Sequence, residues 1–428
     1  MQFLNIVFFI ILVFFMGMFL LSDGRIVKNP LDRSQKVLLT GPEMYWVVVF
    51  STGLLAFSYD LGIDLMAIRL FLIMVLCCVG FGIVKDTPIL SKPLIIYLVY
   101  LAWLFVGCFY TLSVPFGIRT MLKYVFPLIF CLFASAAIDN FITAIKSAIA
   151  ARWVAVACVI ITFIPFLYTL FDNVIWYITA RVIHFISMMV FSLAMFFFTK
   201  EKKLNLFLFI LFLLPCFVLL LRTSILGSVA AIVAFSFIRW KLKSLPVILG
   251  VVILGVISVF AIPSLRNKMF FDNKTSIEEF RAGKIDMSDV NTNYRAYMWE
   301  RLENNLYRDH ELLGSGTGST QYFMQANPRM FANLAASHSD FVQMRCDNGI
   351  IGLVIYCALI AAIYIHCFLI YWRTGDNRIK LFALTAGASL IGVFATFYSD
   401  NTVNYSLATL SIPFGFYGMT LALNKRLR

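Results

Sequence analysis

The chain has 428 residues, 61% of them hydrophobic and only 13% charged, with a mean hydropathy of +0.89. Soluble globular chains sit near 45–50% apolar and about 25% charged, so a soluble protein is excluded. Apolar runs of about 20 residues match the length of a membrane-spanning helix and exclude the short alternating segments of a membrane β-barrel.

The net charge of +13 does not signal nucleic acid, because Lys and Arg fall in short clusters between apolar runs. About thirteen spans are expected, at 2–22, 43–59, 63–84, 93–112, 119–138, 150–171, 180–199, 203–221, 223–239, 244–262, 349–371, 379–397 and 402–424. The first lacks the positive flank of a cleavable signal and is read as a retained span. Every second connection is basic: Arg25/Lys28/Arg33/Lys36, Lys85/Lys92, Lys146/Arg152, Lys200/Lys202/Lys203, Arg239/Lys241/Lys243, Arg373/Arg378/Lys380 and Lys425/Arg426/Arg428. The positive-inside rule puts these clusters and the C-terminus in the cytoplasm, and the turns holding Arg119, Arg181 and Arg222 on the other side. The long polar stretch falls on that outer side too.

The expected fold is an all-α integral membrane protein without internal repeats. Residues 1–262 form an N-terminal bundle, 263–348 an extracytoplasmic insert, and 349–428 the C-terminal spans. Within the insert, TNYRAYMWERLENNLYRDHELLG reads as an amphipathic helix capped by Thr292 or Asn293, with Tyr294, Met298, Leu302 and Leu306 on one face. Arg295 and Trp299 are neighbours one turn apart. GSGTGS, from Gly314, is expected to be a flexible turn that exposes its backbone. A second helix is expected from near Ser337, carrying His338, Phe341 and Arg345 on one side and broken at Asn348-Gly349.

An ionisable residue in or at a span is costly and marks a candidate site. Arg222, in LLLRTSILG, and Arg119, in VPFGIRTMLK, have no acid nearby in sequence, and the planar guanidinium suits phosphate. The competing reading is that each caps a helix end or reaches to headgroups. Among four histidines, His366 and His184 lie in spans and His310 in a solvated run. A loop folded back over the membrane would bring His338 to the outer arginines, and an ordinary pKa near 6.5 suits proton transfer with a hydroxyl. Asp60 and Asp64 make a weak metal pair, and helix capping or a structural role is favoured for them. Nine cysteines, with only Cys346 in the insert, give neither a disulfide framework nor a zinc spacing. GSGTGS lacks the Lys and the strand context of a nucleotide loop. It is either a plain turn or a loop whose amides approach a sugar or phosphate.

Two segments in this order resemble the O-antigen ligase/polymerase superfamily of bacterial polysaccharide assembly. One is Arg295-x-x-x-Trp299 followed by Gly314, Gly316 and Gly318. The other is His338-Ser-Asp340-Phe341-x-Gln343 followed by DNGIIGL, entering the first span after the insert. Arg222, in an outer R-T/S element before the insert, matches as well. The resemblance implies a GT-C-like fold in the bacterial inner membrane, with a periplasmic loop and a donor and acceptor glycan on undecaprenyl pyrophosphate. It implies that Arg222 and Arg295 bind pyrophosphate, that His338 acts as general base or orienting group, and that no metal or other cofactor is required. Arg119 matches by position only, and Arg181, Trp299, Gly316 and Asp340 join it as candidate substrate contacts; Ser339 stands where the family has Asn after the histidine. A repeat-unit polymerase is the expected activity and a ligase onto lipid A-core the alternative. The bilayer, a chain-length regulator and a flippase are the expected partners. A transporter is the competing class, disfavoured because repeats are absent and the ionisable groups gather at one surface.

Overall fold

The computed structural model describes residues 25–28, 35–39, 41–56, 86–171, 174–261, 295–331 and 336–427, with a few isolated positions between them. The expected spans at 2–22 and most of 63–84, the Asp60/Asp64 pair, Tyr294 and the Thr292/Asn293 cap lie outside the described residues.

Helices dominate. A short antiparallel hairpin, β1 Arg25–Lys28 and β2 Lys36–Leu39, precedes α1 Gly41–Ser51 and corrects the purely helical expectation. There follow α2 Lys92–Gly107, α3 Val114–Ala137, α4 Phe141–Phe163, α5 Pro165–Phe171, α6 Ile178–Phe198, α7 Lys202–Val218, α8 Arg222–Trp240 and α9 Leu245–Ala261. The polar insert supplies α10 Arg295–Leu306 and α11 Ser319–Ala326, and the chain closes with α12 Asp340–Arg373, α13 Asn377–Ala395 and α14 Ser411–Arg426. Among the described residues, six helical stretches are long and apolar enough to cross a membrane: 114–137, 141–163, 178–198, 222–251, 340–373 and 377–398. The other expected spans in this region appear as shorter helices of 11 to 17 residues.

The last span is the clearest correction. Residues 402–410 are not an α-helical span but a single 3-10 turn, Thr402–Tyr405, followed by a buried bend, and α14 starts only at Ser411. Irregular backbone at that depth needs internal partners. Thr409 Oγ1 donates to Thr402 O at 2.9 Å, Ser411 N to Ser406 O at 2.8 Å, and the Ala408 carbonyl lies 2.7 Å from His184 Nδ1.

α6 and α13 are buried on nearly every side and form the centre of the bundle. α13 meets α8 at two glycines. A Cβ on Gly227 would come 2.8 Å from Gly392 O, and one on Gly392 would come 2.9 Å from Gly227 O, so only hydrogen permits this approach.

Among the described residues, the basic clusters at Lys241, Arg373 and Arg426 lie at the bundle end opposite the insert. Lys241 sits over Trp372, whose indole donates to Ile238 O, while Arg426 pairs with Asp86 and Asp139. Asn140 caps α4 there, accepting from Thr143 N at 2.9 Å.

Replacing Gly392 by Val overpacks this crossing and is expected to destabilise the bundle by about 1–3 kcal/mol, read as a lower melting temperature of the purified protein in detergent.

Candidate functional site

The site is built around the turn between α13 and α14, residues 396–406. In α10, the i, i+4 spacing of Met298, Leu302 and Leu306 works as expected: all three are buried against Met324, Phe331, Val342 and Cys346. This satellite core, with Arg345 paired to Glu303, fixes α10 across the first turns of α12. The opposite edge of α10 then faces the bundle. Arg295 Nη1 donates to Ser399 O at 2.6 Å, and the Trp299 indole donates to Ser337 O at 2.7 Å.

Arg222 opens α8 after Leu220, whose φ of +50° turns the chain sharply out of α7. Its neighbour Thr223 meets the Ser399 hydroxyl at 2.8 Å, so the start of α8 and Arg295 are tied to the same residue. Arg222 and Arg295, both half-buried, feel each other's charge.

His338 stands beside them but not on a helix, which corrects the expected helical face. α12 starts at Asp340, with Ser339 as its cap accepting from Val342 N at 3.3 Å, and His338 precedes the cap with φ +50°. A left-handed conformation costs a non-glycine residue roughly 1 kcal/mol or more, so its surroundings must impose it. Ser337 Oγ does so, 2.9 Å from Ser339 O and 3.1 Å from Asn401 Oδ1. Burial, and after it the charge of Arg295, hold the His338 imidazole below its ordinary pKa, so it is neutral at pH 7. Asp400 completes the electrostatics. Burial raises its carboxyl to about 6, against the opposing pull of the Asn401 N–H and Arg295.

The other sequence candidates have different surroundings. Asp340 is a buried strut: its N–H donates to Asp400 O at 3.1 Å and its Oδ2 accepts from Val403 N at 3.1 Å. The GSGTGS turn is packed and buried, contrary to the exposed turn expected. Gly316, at φ +97°, donates to Asp347 O, and a Cβ there would lie 2.5 Å from Thr111 Cα. Asp347 takes the next amides, from Gly318 N at 3.1 Å and Thr320 N at 2.7 Å. Arg181 is fully buried between α4 and α5, donating to Thr162 Oγ1 at 2.9 Å beneath the Tyr168 ring. Arg119 is exposed one turn before Lys123. Of the eight candidates, the structure brings together Arg222, Arg295, His338 and Trp299, with Asp340 behind them.

Sequence reasoning missed the turn itself, although SDNTVN, residues 399–404, is conspicuously polar between apolar runs. It also missed Lys123, visible as a cation inside an expected span. Its ammonium donates to Asn404 Oδ1 at 2.6 Å and Gln321 Oε1 at 3.3 Å, joining α3, α11 and the turn.

These features define a multi-pass membrane protein with a cationic, histidine-bearing face at one end of its bundle. Residues 206–357 match the O-antigen ligase family, which bears out the resemblance to the O-antigen ligase/polymerase superfamily. The matched segment contains Arg222, Arg295, Trp299, Gly316, His338 and Asp340, whereas Arg119 and Arg181 lie before it. No curated protein matches the chain.

Replacing Lys123 by Met removes the ammonium from two half-buried amide oxygens, those of Asn404 and Gln321. It is expected to cost about 1–3 kcal/mol, read as a lower melting temperature together with faster hydrogen exchange in residues 399–406.

Proposed function

We propose that the protein is a membrane glycosyltransferase that joins lipid-linked oligosaccharide repeat units at the outer face of the bacterial inner membrane, a polysaccharide polymerase. The observation that carries this reading is the convergence on Ser399 of Arg295 and the start of α8, where Arg222 lies, while Trp299 binds the carbonyl next to His338. Transfer from a glycosyl pyrophosphate needs negative charge stabilised on the leaving group and a proton removed from the acceptor hydroxyl. Two guanidiniums with forked donors suit the first task. A neutral imidazole suits the second. The acceptor oxygen attacks the anomeric carbon, the bond to pyrophosphate breaks, and the hydroxyl proton passes to His338. Undecaprenyl pyrophosphate is the proposed carrier and leaving group, and the insert is proposed to be periplasmic with the C-terminus cytoplasmic. The basic clusters at the opposite end support that orientation.

A second reading is a ligase that moves finished glycan onto lipid A-core. The description of the matching family as O-antigen ligase favours it. Both readings use the same groups and differ in the acceptor.

A deletion strain complemented with wild type, His338→Ala or Arg222→Ala separates them by gel analysis of surface and lipid-linked glycan. Single repeat units on the core mark a lost polymerase, and long chains left on the lipid carrier mark a lost ligase. Each substitution is expected to lower transfer by about 10²–10³-fold. Full wild-type ladders from both variants would remove the site assignment, and unchanged glycan in the deletion strain would remove the glycosyltransferase reading. The depressed pKa of His338 also fixes a sign for pH. The basic form is retained until pH falls through the folded-state value, so the acid limb of the rate profile is expected below pH 6.5. A limb centred above 6.5 would contradict the neutral histidine.

A further inference from the structure

Tyr398, the last residue of the short helical turn Thr396–Tyr398, is 55% exposed although its neighbours Phe397 and Thr396 are fully buried. Its ring meets the Trp299 ring edge-on, with centroids 6.1 Å apart and planes at 69°. Trp299 is itself held, because its indole N–H is bonded to the carbonyl of Ser337, next to His338. On the other side, Tyr398 is followed by Ser399, whose carbonyl takes Arg295. The exposed phenol ring is thus anchored between the arginine pair and the histidine.

We propose that Tyr398, backed by Trp299, is a sugar-stacking platform that receives a pyranose ring of the glycan against its face. This rests on the glycosyl-transfer reading above. The C–H faces of a sugar are apolar and slightly positive, and an aromatic face is apolar and negative, so the two stack while the hydroxyls stay in water. A ring with two torsions, already fixed by a neighbouring indole, loses little freedom on binding. The arginines address charge and the histidine a single hydroxyl, so neither supplies a surface for the body of a sugar. Tyr398 lies outside the matched segment 206–357 and places a recognition element on the α13–α14 turn.

The test uses the full-length protein in nanodiscs and two probes, oligosaccharide released by mild acid from the host strain's own surface polysaccharide, and maltoheptaose. Binding is read by saturation-transfer NMR titration, and transfer by the glycan gels of the same strains. Tyr398→Ala is expected to weaken the surface oligosaccharide at least fivefold, with Tyr398→Phe within about twofold of wild type. Phe166→Ala, another exposed aromatic, is expected to bind as wild type, and maltoheptaose to bind more weakly throughout. An unchanged affinity in Tyr398→Ala, or no measurable binding by wild type, overturns the platform. A lowered melting temperature with unchanged affinity does so as well, and makes Tyr398 an interfacial anchor. If the deletion strain's glycan is unchanged, the glycosyl-transfer reading fails instead, whatever Tyr398 does.

Discussion

The structure of the candidate site depends on burying an irregular turn. Residues 399–406 carry backbone N–H and C=O groups into a bundle where water is scarce, and each group needs a partner from the protein. Those partners are residues from every element around the site. Ser399 O takes Arg295, the Ser399 hydroxyl takes Thr223, and Asp400 O takes the first amide of α12. Val403 N finds Asp340, and Asn401 and Asn404 bind Ser337 and Lys123 through their side chains. Satisfying one short turn therefore sets the mutual positions of α3, α8, α10 and α12.

This explains why the arginines and the histidine stay in place although they are held near like charge. Arg222 and Arg295 repel, and Arg295 disfavours a protonated His338. Left to themselves the two guanidiniums would separate into solvent. Bonds to the turn from Arg295, from Thr223 next to Arg222 and from Ser337 next to His338 hold their segments, and the left-handed backbone of His338 is a local sign of that constraint. An anion entering the site would remove the repulsion without requiring the fold to move.

The sequence expectations divided along physical lines. Helices of strong apolar character were legible because burial in a membrane demands length and hydropathy, both written in the chain. So was the face of α10, since a 3.6-residue period projects Met298, Leu302 and Leu306 to one side. Gly316 and its neighbours misled because a glycine run reads as an exposed loop, while here the missing side chains admit Thr111 and the Asp347 backbone at close range. Arg181 misled for a related reason. A charge at a span end reads as outward-facing, but Thr162 and the Tyr168 ring give it a buried setting. The run 399–404 was visible as polar, yet nothing local says whether such a run meets water or is folded inward.

The sequence alone determined that this chain lies in a membrane, that its basic clusters segregate from its polar insert, and that His338, Arg295 and Arg222 are chemically notable. Hydropathy, charge alternation and motif spacing are local properties, so they survive without coordinates. Tertiary structure decided which of the candidates converge. Arg222, Arg295 and His338 are separated by dozens of residues, and their meeting depends on a turn near the C-terminus whose buried backbone must be satisfied by distant side chains. No local pattern encodes that requirement, because hydrogen-bond partners in a low-dielectric interior are chosen by packing.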